Sequence, residues 1–264
     1  MSRPDRAYLD APGPIPIAHR GGAKLWPENT VYAFERAYAL GIRWIETDVH
    51  MTADGQIVLF HDLTLERTTN GVGPIADRTL AELRDLDAGW NFEAGGEVFR
   101  GRSIGIPTLE EALAVGPDLH LNLEIKQQTP PMREAMWAEI QRLDVGDRVL
   151  VASAIDNEVS AFRALCGGAL ASSAGKFEIA EFWVRAHLYG ARAFWPSYDA
   201  LQVPQTYRGL PVVTRRFVEA AHRCGLKVHV WTVDDPAEMR ALRDLGVDAV
   251  MSDRPDLLVD VFPP

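Results

Sequence analysis

The chain has 264 residues, of which 47% are hydrophobic and 24% charged, so it can bury a full core without disulfide staples. Its 27 Lys and Arg against 37 Asp and Glu leave a formal net charge of −10, which argues against nonspecific binding to nucleic acid or anionic lipid. The two cysteines, Cys166 and Cys224, form no C-x-x-C pair and cannot build a zinc site by themselves, so two free thiols in a reducing compartment are expected.

Taken in order, the first ten residues lack the apolar centre of a signal peptide. No run approaches the roughly 18 apolar residues of a membrane span, so a cytoplasmic protein with no stable membrane association is expected. Ile15–Ala18 reads as a strand, and a helix follows from Asn29 to Leu40, stopped by Gly41. Trp44–Val49 is a second strand, and Gln56–Phe60 is an apolar run after the turn Asp54-Gly55. Thr79–Leu86 is helix-like, and Thr108 reads as an N-cap with Glu110 and Glu111 in the first turn. Further strands are expected at His120–Ile125, Val149–Ser153, Ala169–Ser172, Ala193–Trp195, Lys227–Val233 and Ala249–Met251. Helical patterns fill the gaps at 131–143, 157–166, 177–189, 214–224 and 236–245, the last two ending at Gly225 and Gly246.

Eight strands alternating with crossover helices imply parallel pairing, and eight such units suggest an α/β fold, a closed (β/α)8 TIM barrel. A doubly wound open sheet is the alternative, but no Gly-x-Gly-x-x-Gly follows the first strand. Roughly 70 residues separate the second strand from the third, too many for a structureless loop. Residues 1–264 are therefore read as a single barrel domain with a small insertion after the second strand, at about 51–106.

Catalytic groups of a barrel sit at the C-terminal ends of its strands. His19-Arg20 directly follows the first strand. Glu46-x-Asp48 puts two carboxylates on one face of a buried strand, which is unfavourable unless a cation is present or that face is exposed at a sheet edge. Glu124-x-Lys126 repeats the spacing with a carboxylate and an ammonium, either as an internal ion pair or as a third ligand beside an anion-facing cation. Three carboxylates and no cysteine favour a hard cation, Mg²⁺ or Ca²⁺, over zinc. His61-Asp62 adds a second imidazole suited to proton transfer near neutral pH. Trp195 and Trp231 stand at the ends of the sixth and seventh expected strands, as core or as substrate platforms. Asp253 either pairs with Arg254 to cap the barrel or belongs to the site. Walker A, Gly-x-Ser-x-Gly and His-Glu-x-x-His patterns are absent, which argues against P-loop NTPases, typical serine hydrolases and zincins.

The ordered set His19-Arg20-Gly21, Pro27-Glu28-Asn29-Thr30, Glu46-Thr47-Asp48-Val49, Thr52-Ala53-Asp54-Gly55 and His61-Asp62 resembles glycerophosphodiester phosphodiesterases. Arg67-Thr68-Thr69-Asn70-Gly71, Ile106-Pro107-Thr108-Leu109-Glu110-Glu111, Leu123-Glu124-Ile125-Lys126, Val230-Trp231-Thr232-Val233 and Ser252-Asp253-Arg254-Pro255 extend it. The resemblance implies a (β/α)8 barrel and hydrolysis of a small glycerophosphodiester to glycerol 3-phosphate and an alcohol. It implies one divalent cation on Glu46, Asp48 and Glu124, acid and base roles for His19 and His61, and a phosphate held by Arg20 and Lys126. Trp231 would contact the substrate. The nucleophile is either water or the neighbouring glycerol hydroxyl, and either histidine suits either proton-transfer role. The alternative within the same barrel is a bulkier diester such as a lysophospholipid, which would need an apolar groove of the kind Trp90, Phe92 and Phe99 could line.

Overall fold

The computed structural model describes residues 6–11, 13–189, 191 and 194–263. Eight short strands form its centre: β1 Ile15–His19, β2 Trp44–Met51, β3 His120–Ile125, β4 Val149–Ala152, β5 Ala171–Ser172, β6 Ala200–Val203, β7 Lys227–Val230 and β8 Ala249–Ser252. They pair in parallel in the order β5-β4-β3-β2-β1-β8-β7-β6. The circle closes between β5 and β6 through a single bridge, Ser173 with Ala200, and through Asp199 N–H donating to Ser172 O at 2.8 Å. Side chains reinforce this thin seam: Arg163 donates to the Ser172 hydroxyl at 3.0 Å and to Ser173 O at 3.0 Å, and also binds Glu178. The result is a nearly closed (β/α)8 barrel, as expected.

The helices are α1 Val31–Ala39, α2 Leu109–Leu113, α3 Arg133–Leu143, α4 Asp156–Leu165, α5 Lys176–Tyr189, α6 Arg215–Arg223, α7 Pro236–Leu245 and α8 Pro255–Val261. Their starts follow local chemistry. Thr30 caps α1 by accepting from Ala33 N–H, and Thr108 forms a capping box with Glu111 at α2. Asp235 accepts from Ala237 and Glu238 N–H at α7, where Pro236 occupies the first turn and Gly246 closes the end at φ 91°.

Alternation along the strands sorts the core. Val228 and Val230 of β7 pack outward with Phe217 among the helices, and His229 between them is fully buried. At the N-terminal end of the barrel, Trp44 stacks on His120 at 4.6 Å and donates from Nε1 to Tyr8 O. Tyr8 belongs to a 3₁₀ turn, Ala7–Leu9, and packs against Leu150, Ala152, Ala171 and Ala200. This N-terminal plug was not among the expected elements.

Between β2 and α2, Ile57–Leu59 adds antiparallel to β2, followed by a short helix at Leu80–Leu83 and a hairpin of Glu93–Ala94 with Glu97–Val98. Val58, Phe60, Leu65, Ile75, Leu83, Ala88 and Ile106 give this segment its own small apolar cluster.

One strand lies elsewhere than expected. The sixth strand is Ala200–Val203, not Ala193–Trp195; Ala193 lies outside the described residues, and Phe194 and Trp195 are in coil. The apolar run Ala-Phe-Trp imitates a strand, whereas the real one is interrupted by polar Gln202. Trp195 therefore stands at the entry of β6, 72% exposed, instead of at its exit beside the site.

Candidate active site

β1 and β2 deliver the first three site residues side by side, because His19 pairs in register with Glu46. Asp48, two residues further along β2, pairs with Glu124 of β3. One carboxylate oxygen from each of Glu46, Asp48 and Glu124 lies within 4.8 Å of the others. Glu46 and Asp48 are 3% and 1% exposed, which rules out the exposed sheet edge as the reason for two acids on one face. Burial first, then the charge of Asp48, pushes the Glu46 carboxyl up to about 8. Among the described residues Glu46 Oε2 accepts no hydrogen bond; it faces His19 Nε2 at 3.6 Å. Three crowded oxygen donors, one of them a buried orphan, fit a hard divalent cation.

The neighbouring cations lean onto the same carboxylates. Lys126 Nζ lies 3.1 Å from Asp48 and 2.9 Å from Glu124, and Arg20 Nε lies 3.0 Å from Asp48 Oδ2. Burial opposes ionisation of Asp48, but Arg20, Lys126 and His61 outweigh it and hold the carboxyl below the ordinary aspartate range. Asn29 is buried behind it and donates to Asp48 Oδ2 at 2.9 Å, while its own carbonyl accepts from the Thr47 hydroxyl at 2.7 Å. Thr47 thus points away from the cluster and fixes Asn29.

The antiparallel strand Ile57–Leu59 carries His61 to the mouth, with Phe60 N–H donating to Asp48 O at 2.9 Å. His61 Nδ1 lies 2.6 Å from Asp62 Oδ1. Arg67 Nε donates to the other oxygen of Asp62, and its Nη atoms donate to Glu28 at 3.0 and 2.6 Å. Glu28 also accepts from Arg20 at 3.1 Å, so a chain of alternating charge runs from His61 to Asp48. On the other side, His19 Nδ1 lies 2.6 Å from Asp253 Oδ1. Burial opposes protonation of His19, but Glu46 and Asp253 overcome it and raise the imidazole above its ordinary value. Arg254 turns instead to Asp256, at 2.9 and 2.7 Å, so the Asp253–Arg254 capping pair does not form.

His19, Arg20, Glu46, Asp48, His61, Glu124 and Lys126 are thus gathered at the C-terminal ends of β1, β2 and β3 and the strand beside β2. Trp231 directly follows β7 and is 42% exposed. Sequence reasoning assigned no site part to Glu28, Asn29 or Arg67; the run Pro27-Glu28-Asn29-Thr30 before a helix was the available signal. Phe99 is 2% exposed, enclosed by Tyr32 and Phe92, and Arg100 covers Trp90, so these rings do not form the open apolar groove imagined for a bulky substrate. Among the described residues no helix is long and apolar enough to cross a membrane.

Comparison with known proteins agrees with this geometry. The model of the glycerophosphoryl diester phosphodiesterase family matches residues 19–257. The chain is 36% identical over 264 residues to "Probable glycerophosphodiester phosphodiesterase 2" of Mycobacterium tuberculosis, covering 98% of this chain and 94% of that one. It is 34% identical to a glycerophosphodiester phosphodiesterase of Caldanaerobacter subterraneus, covering 93% and 96%. Among solved structures, the glycerophosphoryl diester phosphodiesterase domain of an uncharacterized M. tuberculosis protein superposes with a TM-score of 0.80 at 26% identity, covering 92% and 97%. An Oleispira antarctica phosphodiesterase, solved with its product sn-glycerol-3-phosphate, gives 0.75 at 29% identity, covering 95% and 97%. The chain belongs to the glycerophosphoryl diester phosphodiesterase family and is a phosphoric diester hydrolase of that class.

Proposed function

We propose that this enzyme hydrolyses small glycerophosphodiesters to sn-glycerol 3-phosphate and an alcohol, using one divalent cation, Mg²⁺ or Ca²⁺, on Glu46, Asp48 and Glu124. The observation that carries the reading is the carboxylate trio within 4.8 Å, flanked by two histidines that each rest on a carboxylate through Nδ1. A carboxylate can only accept, so both Nδ1 atoms carry the proton and both Nε2 atoms are left for chemistry. The product held by the Oleispira relative supports the substrate class.

A bound cation would supply positive charge against the phosphoryl oxygens as negative charge builds there. Arg20 and Lys126, already beside Asp48, would bind the remaining phosphate oxygens and hold the diester between the histidines. One histidine takes the proton of the nucleophile and the other gives a proton to the leaving alkoxide. Trp231, exposed on the loop after β7, would pack on the carbon skeleton of the substrate. The segment 51–106 is part of the same catalytic barrel domain, because it brings His61 to the cluster.

Phosphorus-31 NMR of glycerophosphocholine incubated with the enzyme and Mg²⁺ or Ca²⁺ tests the reading. The diester resonance should give way to that of glycerol 3-phosphate. An unchanged spectrum with both cations contradicts it.

A further inference from the structure

We propose that Asp253 is a positioning residue: its carboxylate, carried on a backbone held by Asp234, holds the His19 ring with Nδ1 protonated and Nε2 facing the carboxylate cluster. The inference rests on the phosphodiesterase reading only for the consequence in turnover.

The geometry is a two-step bracket. Ala18 of β1 pairs with Ser252 of β8, so His19 and Asp253 leave adjacent strand ends at the same level. His19 Nδ1 meets Asp253 Oδ1 at 2.6 Å, while Nε2 stands 3.6 Å from Glu46 Oε2. Turning the ring over would put a carbon where Asp253 needs a donor, so the pair selects one orientation as well as one tautomer.

Asp253 is itself held. Its backbone N–H donates to Asp234 Oδ1 at 2.8 Å, and its carbonyl accepts from Lys24 N–H at 3.3 Å. The hydroxyl of fully buried Ser252 donates to the same Asp234 oxygen at 2.8 Å and accepts from Arg254 N–H at 3.0 Å. Lys24 Nζ lies 2.6 Å from the other Asp234 oxygen. Asp234 and Lys24, from two neighbouring loops, thus hold the backbone that carries the carboxylate. Its charge is also undivided: among the described residues His19 is the one ion-pair partner of Asp253, whereas Asp62 divides its oxygens between His61 and Arg67. A residue that only closed the barrel would gain nothing from this aim.

The test uses full-length enzyme with Asp253→Asn and Asp253→Ala. Nitrogen-15 NMR of labelled histidines, with the His19 signals identified by their loss in His19→Gln, reads the tautomer directly. In the wild type, Nδ1 should carry the proton; in Asp253→Ala, which leaves no acceptor, that preference should be lost. With Mg²⁺ and glycerophosphocholine, kcat should fall by about 10²-fold while KM stays within about threefold, because binding is kept and proton transfer is not. An unchanged His19 tautomer in Asp253→Ala, or a kcat within about threefold of wild type, overturns the proposal. If the wild type itself does not turn over the diester, the phosphodiesterase reading fails separately, and the tautomer alone decides the positioning role.

Discussion

Burial and the neighbouring Asp48 charge hold the Glu46 carboxyl against ionisation. Among the described residues its Oε2 has no hydrogen-bond donor. Gln keeps the shape of the side chain and cannot ionise, so Glu46→Gln should fold at least as well as wild type without metal. It should nevertheless weaken divalent-cation binding by more than about tenfold, measured by calorimetry; an unchanged affinity contradicts ligation. His19→Ala should lower turnover by about 10²–10⁴-fold with the melting temperature little changed, and near wild-type turnover contradicts a proton-transfer role. The carboxylates were legible because an i, i+2 acid pair inside an apolar strand is too unfavourable to persist without a cation or an open face. Asp253 was not, because its partner His19 lies 234 positions away and its neighbour Arg254 offered an equally plain ion pair. Asn29 was hidden for a similar reason: its bonds to Asp48 and Thr47 exist only once α1 is docked on β2.

At the level of elements, the turn between β1 and α1 sets the mouth. Arg20 and Asn29 adopt positive φ, at 52° and 57°, and Gly21 follows at 84°. A Cβ on Gly21 would stand 2.7 Å from the Phe34 ring, so this position needs glycine for both space and conformation. Gly21→Ala should destabilise the enzyme by about 1–3 kcal/mol in urea unfolding and lower activity, since His19 and Arg20 share the turn; unaltered stability contradicts the close packing. Most elements could be read from periodicity and caps: the limits of β3 match those expected, and the Thr108, Gly225 and Gly246 boundaries hold. β6 could not be, because inward-facing positions in a barrel tolerate polar groups such as Gln202, and this breaks the apolar run that marks a strand. The N-terminal plug has too few residues to show any period at all.

Over the whole molecule, the barrel interior contains polar groups well below the mouth, and these couple stability to pH. Complete burial pushes His229 down from 6.5 to about 4. The unfolded chain takes up this proton at a higher pH than the folded one, so the stabilising contribution is complete above 6.5 and is lost as pH falls toward 4. Between neutral pH and 4.5 the loss from this group should be about 2 kcal/mol, and His229→Gln should show a correspondingly flatter stability profile; equal profiles contradict it. The same burial logic governs the mouth, where three carboxylates face one another and two cations and two histidines surround them. On the proposal made above, a divalent cation on this trio supports diester hydrolysis. The most direct measurement is the rate of glycerol 3-phosphate release from glycerophosphocholine before chelation, in chelator, and after Mg²⁺ or Ca²⁺ is restored. Release should stop in chelator and return with the added cation, whereas undiminished release in chelator would contradict the account.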